Sequence, residues 1–353
     1  MATAASDFAA LKRSYHSLRV ERIIDETHDS KSVVFEIPDQ LKEIFVYKPG
    51  QFLTLEVPYN GTNLKRCYSL ASSPDTETEH KVTVKRVVDG RISNWVGNDL
   101  KVGDTVKVHP PEGRFVSNQP KAHKLLFGGG SGITPIISII KSTLETTQVN
   151  CTLLYANRDK PSIIFKAELD ALLAKYPQRL VIVHRLDNVD GFLTGADVVK
   201  LAAGKLDHEC FMCGPGPFMN AVEAGLKEAG IPSALVHIER FISPADPKPE
   251  GATEEIVQGD VPESFTVELD GDTTEVEYTK GQSLLEAAVA AGLDAPSSCE
   301  EGFCGCCAAQ LVSGDITMAD DEALSDDEKN RGLILTCQSR PTSGKKLSIQ
   351  YLD

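Results

Sequence analysis

Four cysteines and the distances between them constrain this 353-residue chain more than any other feature. Cys299, Cys304 and Cys307 share one short stretch, and Cys337 completes a C-x4-C-x2-C-x29-C pattern. At this spacing a tight loop delivers three soft thiolates to a 2Fe-2S cluster and a distant segment closes the fourth corner. The fold must therefore bring residue 337 back to the loop. Structural zinc sites draw instead on paired C-x2-C knuckles, whereas this stretch has one C-x2-C and a first gap of four residues. A disulfide framework suits short secreted chains, and the opening residues hold neither a basic segment nor a long apolar run. Cys306 is the thiol that the spacing leaves out.

Hydrophobic content of 41% and charged content of 25% are those of a soluble globular protein. No apolar run approaches the roughly 20 residues that cross a bilayer, so a cytoplasmic location with reduced thiols is expected. The length favours two or three domains. The net charge of -15 is uneven: residues 264–353 hold 6 Lys and Arg against 17 Asp and Glu. Such a surface repels nucleic acid and anionic membrane, and either steers towards a basic protein partner or simply keeps the chain soluble.

Along the chain, residues 12–119 read as short alternating strands cut by Pro49-Gly50, Asn60-Gly61 and Asp89-Gly90, which predicts a small antiparallel β-barrel. Residues 120–243 alternate strands with helices, the signature of an α/β parallel sheet covered on both faces. A proline-rich, acidic stretch over 244–263 reads as a linker. Residues 264–353 open with two strands round Asp270-Gly271, then a helix from Ser283 to Ala291 before the cysteine loop, an α+β unit.

Four further motifs carry chemistry. Arg66-Cys67-Tyr68-Ser69 offers a guanidinium fork for phosphate, a flat ring and a small donor. Gly90-Arg91-Ile92-Ser93 is a glycine turn opening a short helical run, a place where free N–H groups receive a pyrophosphate. Gly130-Ser131-Gly132-Ile133-Thr134-Pro135 follows a strand and opens a helix, the context of a dinucleotide cradle, with Pro135 where a third glycine would stand. Cys213-Gly214-Pro215-Gly216 follows a later strand and lets a ligand approach the backbone closely, although Cys213 could equally be packed core.

As a set, these motifs resemble the ferredoxin-NADP reductase superfamily, and more narrowly its oxygenase reductases with a C-terminal plant-type ferredoxin domain of β-grasp fold. The resemblance covers nearly the whole chain and includes Tyr155-Ala-Asn-Arg-Asp159 and Leu333-Ile-Leu-Thr-Cys337. It implies FAD in the barrel, with Arg66 on the pyrophosphate, Tyr68 beside the isoalloxazine, Ser69 near its reactive nitrogen, and Lys85 and Gly90 to Ser93 among the binding residues. It implies Gly130, Gly132, Thr134, Asn157, Arg158, Cys213 and Gly214 on the nicotinamide dinucleotide, with Ser69 and Cys213 in the catalytic positions. Phe241 would lie over the flavin, and Cys299, Cys304, Cys307 and Cys337 would hold the cluster. NADH and NADPH are both used by reductases of this kind; the closeness to the steroid hydroxylase reductases tilts the expectation to NADH, although an Arg at 158 can meet a 2'-phosphate.

The expected activity is an NAD(P)H-dependent electron-transfer reductase. A hydride carries two electrons and a cluster takes one, so a flavin must stand between them. Glu77-Thr-Glu-His80 is a solitary E-x-x-H, and no C-x-H Rieske pair occurs, so the acceptor is a separate terminal oxygenase of Rieske or di-iron type. Two alternatives stay open: an oxidoreductase that reduces a small molecule directly, and a redox-sensing interaction module.

Overall fold

The structure, a computed structural model, describes residue 8 and residues 11–59, 61–241, 260–321 and 323–351. These fall into two compact units: one spans residues 14–241, and the other holds the residues from 260 onward together with Phe8 and Leu11 to Arg13. Residues 244–259 of the stretch read as a linker, and Asn60 and Glu322, lie outside the described residues.

The first unit begins with strands β1 (His16–Thr27), β2 (Ser30–Glu36), β3 (Phe52–Tyr59), β4 (Thr62–Ser69), β5 (His80–Lys85) and β6 (Thr105–Glu112). They are antiparallel in the order β4-β3-β6-β1-β2-β5. A bridge from Leu70 to Val82 and a 2.7 Å hydrogen bond from Ala71 N–H to the Lys81 carbonyl join the two ends, so the sheet closes as the alternating pattern requires. Leu18, Val20, Val33, Phe35, Leu53, Leu55 and Val82 fill its core, each worth roughly 1.5–3 kcal/mol of burial. Pro110 and Pro111, which would stop an ordinary central strand, sit in β6 near a register shift against Phe52 and Thr54, where the ladder tolerates missing donors. Helix α1 (Arg91–Asn98) starts at Gly90 and seals the barrel with Ile92 and Val96.

The chain then builds β7 (Lys124–Gly129), α2 (Ile133–Thr146), β8 (Cys151–Asn157), α3 (Lys166–Lys175), β9 (Leu180–Leu186), the one-turn α4 (Asp187–Asp190), α5 (Gly195–Ala202), β10 (Glu209–Gly214), α6 (Gly216–Glu228) and β11 (Val236–Arg240). All five strands are parallel, in the order β11-β10-β7-β8-β9. The order reverses direction at β7, so the crevice between the carboxyl ends of β7 and β10 is where such a sheet binds ligands. Two details differ from the sequence pattern, which predicts a helix over residues 164–173 and a last strand over residues 235–238. Phe165 takes a left-handed φ of 59°, which delays the helix expected from Ile164 to Lys166. The last strand, expected to end at Ile238, continues through Glu239 to Arg240.

Barrel and sheet interlock through polar groups. Ser138 Oγ donates to the Ser72 carbonyl at 2.6 Å, and Lys141 bridges Glu77 at 3.0 Å and Glu168 at 2.8 Å. Glu77 is thus an ion-pair partner. His80 instead meets the Phe45 carbonyl at 2.7 Å, so the E-x-x-H residues serve packing.

The second unit carries β12 (Ser264–Leu269), β13 (Asp272–Glu277), α7 (Leu284–Ala290), β14 (Ala308–Ser313), β15 (Ile316–Met318), α8 (Asp326–Asn330), β16 (Leu333–Leu335), β17 (Ser339–Pro341) and β18 (Ser348–Tyr351). The main sheet runs β13-β12-β18-β14-β16, with β12 and β18 parallel. Asp270 and Gly271 both have positive φ, as a tight two-residue hairpin demands. Helix α7 is held by a capping box between Ser283 and Glu286 and packs Leu284, Leu285 and Ala288 into the core.

Candidate functional site

The two glycine motifs of the parallel sheet lean on one another at the crevice. A Cβ on Gly132 would lie 2.0 Å from the Cys213 carbonyl oxygen and 2.7 Å from the Gly214 nitrogen, so only glycine permits this approach. A Cβ on Gly214 would likewise lie 3.0 Å from the Gly129 Cα. Gly130 adopts a φ of 54° and aims the chain into α2, whose first turn accommodates Pro135 because an N–H there has no partner in the helix. Thr134 is buried and its Oγ1 donates to the Ser131 carbonyl at 3.0 Å. Lys85, from the barrel, reaches within 3.7 Å of the position a Gly130 Cβ would take and lies 3.9 Å from Asp29. At the end of β8 the Asn157 side chain is buried, and neither end of its amide meets a hydrogen-bond partner. A side chain and backbone so placed suit a dinucleotide, which would supply polar partners and needs a surface without Cβ atoms.

On the barrel, Arg66 and Tyr68 share a face of β4, opposite Leu55 and Leu53 of β3. Tyr68 packs against the core, while Arg66 donates to the Lys65 carbonyl at 2.6 Å. Gly90 is an extended N-cap without side-chain capping, so the first turn of α1 over Arg91, Ile92 and Ser93 presents N–H groups that suit a pyrophosphate. Ile92 is core, Ser93 Oγ accepts from Val87 N–H at 3.3 Å, and Arg91 stands 5.9 Å over the Tyr59 ring.

Ser69 is the point where the two halves meet. It is buried, and its Oγ donates to Glu239 Oε2 at 3.0 Å across 170 residues of sequence. Glu239 pairs in register with Cys213 on the neighbouring strand. Burial pushes the Glu239 carboxyl up to about 8, against the hydrogen bond from Ser69, so it is neutral over most of the physiological range. The same burial, with Glu239 adding, keeps the Cys213 thiol protonated. Sequence motifs point to Ser69 and Cys213 but not to Glu239. Nothing in Val-His-Ile-Glu-Arg marks it except a charge on a strand that enters a sheet. Phe241, 41% exposed, follows two residues later.

In the other unit, Cys299, Cys307 and Cys337 are buried and Cys304 is partly exposed. None of the nine cysteines is in a disulfide. Among the described residues no three His, Cys, Asp or Glu side chains gather as a single-ion site. The thiols meet two by two instead. Cys307 Sγ lies 3.2 Å from Cys337 Sγ, while burial, with Cys304 next to it, pushes the Cys299 thiol far up. Crowded, buried thiols of this kind lose their protons to a metal, and two pairs suit a centre with two irons. Backbone N–H groups already point at sulfur: Glu301 at Cys299, 3.4 Å, and Cys306 at Cys304, 3.5 Å. Positive φ at Glu300, Gly302 and Gly305 wraps the loop round the site. Cys306 is buried.

Comparison with known proteins agrees with this geometry. Three family profiles match in succession: an oxidoreductase FAD-binding domain over residues 17–116, an oxidoreductase NAD-binding domain over 126–224 and a 2Fe-2S iron-sulfur cluster binding domain over 267–342. The ferredoxin reductase component of 3-ketosteroid-9-alpha-monooxygenase from Rhodococcus rhodochrous is 44% identical, over 92% of this chain and 94% of its own length. A component of 1,2-phenylacetyl-CoA epoxidase from Escherichia coli is 34% identical, over 93% and 95%. The solved structure of phthalate dioxygenase reductase superposes with a TM-score of 0.57 at 28% identity, covering 96% of this chain and 98% of that one. No described helix is long and apolar enough to cross a membrane. The chain belongs to the ferredoxin-NADP reductase superfamily, in the family of oxygenase reductase components that carry a C-terminal 2Fe-2S ferredoxin domain.

Proposed function

We propose that this chain, in the cytoplasm, draws electrons from a reduced nicotinamide dinucleotide and delivers them singly to a separate oxygenase acting on a steroid or related ring substrate. The observation that carries the reading is the meeting of Ser69 from the barrel with Glu239, the strand neighbour of Cys213, at the switch point of the parallel sheet. A nicotinamide held by the glycine turns and a flavin held by the barrel would both face this cleft. FAD and the 2Fe-2S cluster, when bound, supply the conversion of one hydride into two single-electron transfers.

The residues divide the remaining work. Gly130, Gly132 and Gly214 let the dinucleotide backbone approach, and Asn157 supplies an amide at the end of β8. Arg66, Lys85 and the first turn of α1 balance flavin phosphate charge. Ser69 Oγ, tied to a neutral Glu239, holds a proton at the edge where a reactive flavin nitrogen belongs. Cys213 and Phe241 shield that edge from water. Cys299, Cys304, Cys307 and Cys337 hold the cluster, with exposed Glu300 and Glu301 beside it offering a basic partner a docking rim. The 44% likeness to a steroid monooxygenase reductase, against 34% to the epoxidase component, supports the substrate class. Anaerobic titration with NADH and then NADPH, followed by visible absorbance, tests the reading: flavin and cluster bands bleach in succession, and a protein that bleaches with neither nucleotide would end it.

A further inference from the structure

One side chain spans the cysteine loop and the segment that closes it. Gln338 follows Cys337, and its backbone is fixed on both sides: its N–H donates to the Leu335 carbonyl at 2.9 Å, and its carbonyl accepts from Ala319 N–H at 3.0 Å. From there its Nε2 donates in two directions, to the Glu300 carbonyl at 3.4 Å and to Cys337 Sγ at 3.6 Å. A primary amide carries two N–H groups, so both bonds form at once. Glu300 has a φ of 59°, a left-handed angle that a side chain disfavours and that a fixed carbonyl partner helps to hold. Two residues on, Gly302 has a φ of 85°, and a Cβ there would lie 2.9 Å from Gln338 Cγ and 3.2 Å from its Cδ. The glutamine stem therefore packs on the same turn whose carbonyl its amide receives.

The backbone N–H groups that point at Cys299 and Cys304 belong to the path of the chain itself. Gln338 adds a donor from a side chain, aimed at the sulfur that is remote in sequence. Hydrogen bonds to cysteine sulfur are one of the levers that set the potential of an iron-sulfur cluster, because an added electron makes the sulfurs more negative and an N–H dipole stabilises that charge. We propose that Gln338 is a positioning residue for electron transfer: it latches the turn over residues 300–302 to the Cys337 segment and, through its bond to Cys337 Sγ, raises the potential of the cluster. The step it favours is the gain of one electron, drawn from the reduced nicotinamide by way of the flavin, with no bond made or broken. The inference deepens the electron-transfer reading and rests on it.

The test uses the full-length holoprotein, titrated anaerobically with dithionite in the presence of redox mediators, with the reduced cluster followed by electron paramagnetic resonance. Gln338→Met keeps a stem over Gly302 and removes both N–H groups. It is expected to shift the one-electron equilibrium towards the oxidised cluster by threefold to tenfold, a fall of about 28–59 mV. It is also expected to lose iron to a chelator at least threefold faster. Gln338→Glu keeps the shape, removes the donors and adds a negative charge, so its potential is expected to fall further. Gln338→Met at or above the wild-type potential would overturn the assignment. If that variant takes up no cluster, Gln338→Glu carries the same test; if neither takes one up, the residue is structural alone and the assignment is overturned. A wild type that itself holds no iron and sulfide fails at the cluster reading, whereas one whose cluster potential the variants leave unmoved fails here only.

Discussion

Glu209 offers the sharpest test of how the two reductase domains are locked. Its carboxylate is fully buried at the start of β10, and Lys124, 1% exposed, lies 2.5 Å away at the start of β7. Around them, Glu209 accepts from Ser117 Oγ at 2.7 Å, from the N–H groups of Asn118 and Gln119 at 2.9 and 3.3 Å, and from His237 at 2.8 Å. Ser117 to Gln119 belong to the crossover from barrel to sheet, so the pair fastens that segment. Burial raises the carboxyl, but the hydrogen bonds from His237, Lys124, Ser117 and Asn118 overrule it and hold the group at about 2, against an ordinary 4.5. That drop corresponds to roughly 3 kcal/mol, within the ~3–5 kcal/mol that breaking a buried pair costs. Because the folded value is depressed, the contribution is complete above about pH 4.5 and lost as pH falls towards 2. Glu209→Gln should therefore lower stability by about 3 kcal/mol at pH 7, and by less than half of that near pH 3, in urea unfolding followed by far-UV circular dichroism. Lys124→Met added to Glu209→Gln should recover part of the loss, since no bare ammonium then remains buried. A Glu209→Gln protein within 1 kcal/mol of wild type at pH 7, with an unchanged pH profile, would refute the reasoning.

Two further outcomes follow from the cleft. Glu239, raised to about 8, contributes stability fully below its unfolded value near 4.5 and loses it as pH rises through 8. Flavin reduction by NADH should change around pH 8 in wild type, and Glu239→Gln should remove that step and slow reduction by about ten- to a hundredfold in stopped-flow absorbance. Gly132→Ala places a Cβ against the Cys213 carbonyl and should cost about 1–3 kcal/mol. Its flavin should remain reducible by dithionite while NADH reduces it poorly.

Much of this fold is legible in the sequence because its instructions are local. A glycine before a helix, as at Gly90, and Asp270-Gly271 between strands each act within a few residues, and both fold as expected. Positions determined by distant partners are not legible. Glu239 looks like any charge on a strand until Ser69 meets it from 170 residues away. Lys124 and Glu209, 85 residues apart, would each pass for a surface residue until the parallel pairing of β7 and β10 buries both. Phe165 delays the expected helix start through its backbone angle, which no side-chain periodicity reports. In the cysteine loop, spacing alone marks the candidate ligands, and the structure adds that Cys307 and Cys337 meet, as do Cys299 and Cys304.

Electrons that enter at the flavin leave through the cluster. Cys304→Ser, which removes a thiolate from the partly exposed corner of the loop, tests it with one preparation and two acceptors. NADH-to-ferricyanide turnover should persist while single-electron delivery to the oxygenase partner, or to cytochrome c as its surrogate, falls by at least a hundredfold. Undiminished delivery from a protein without its cluster would contradict it.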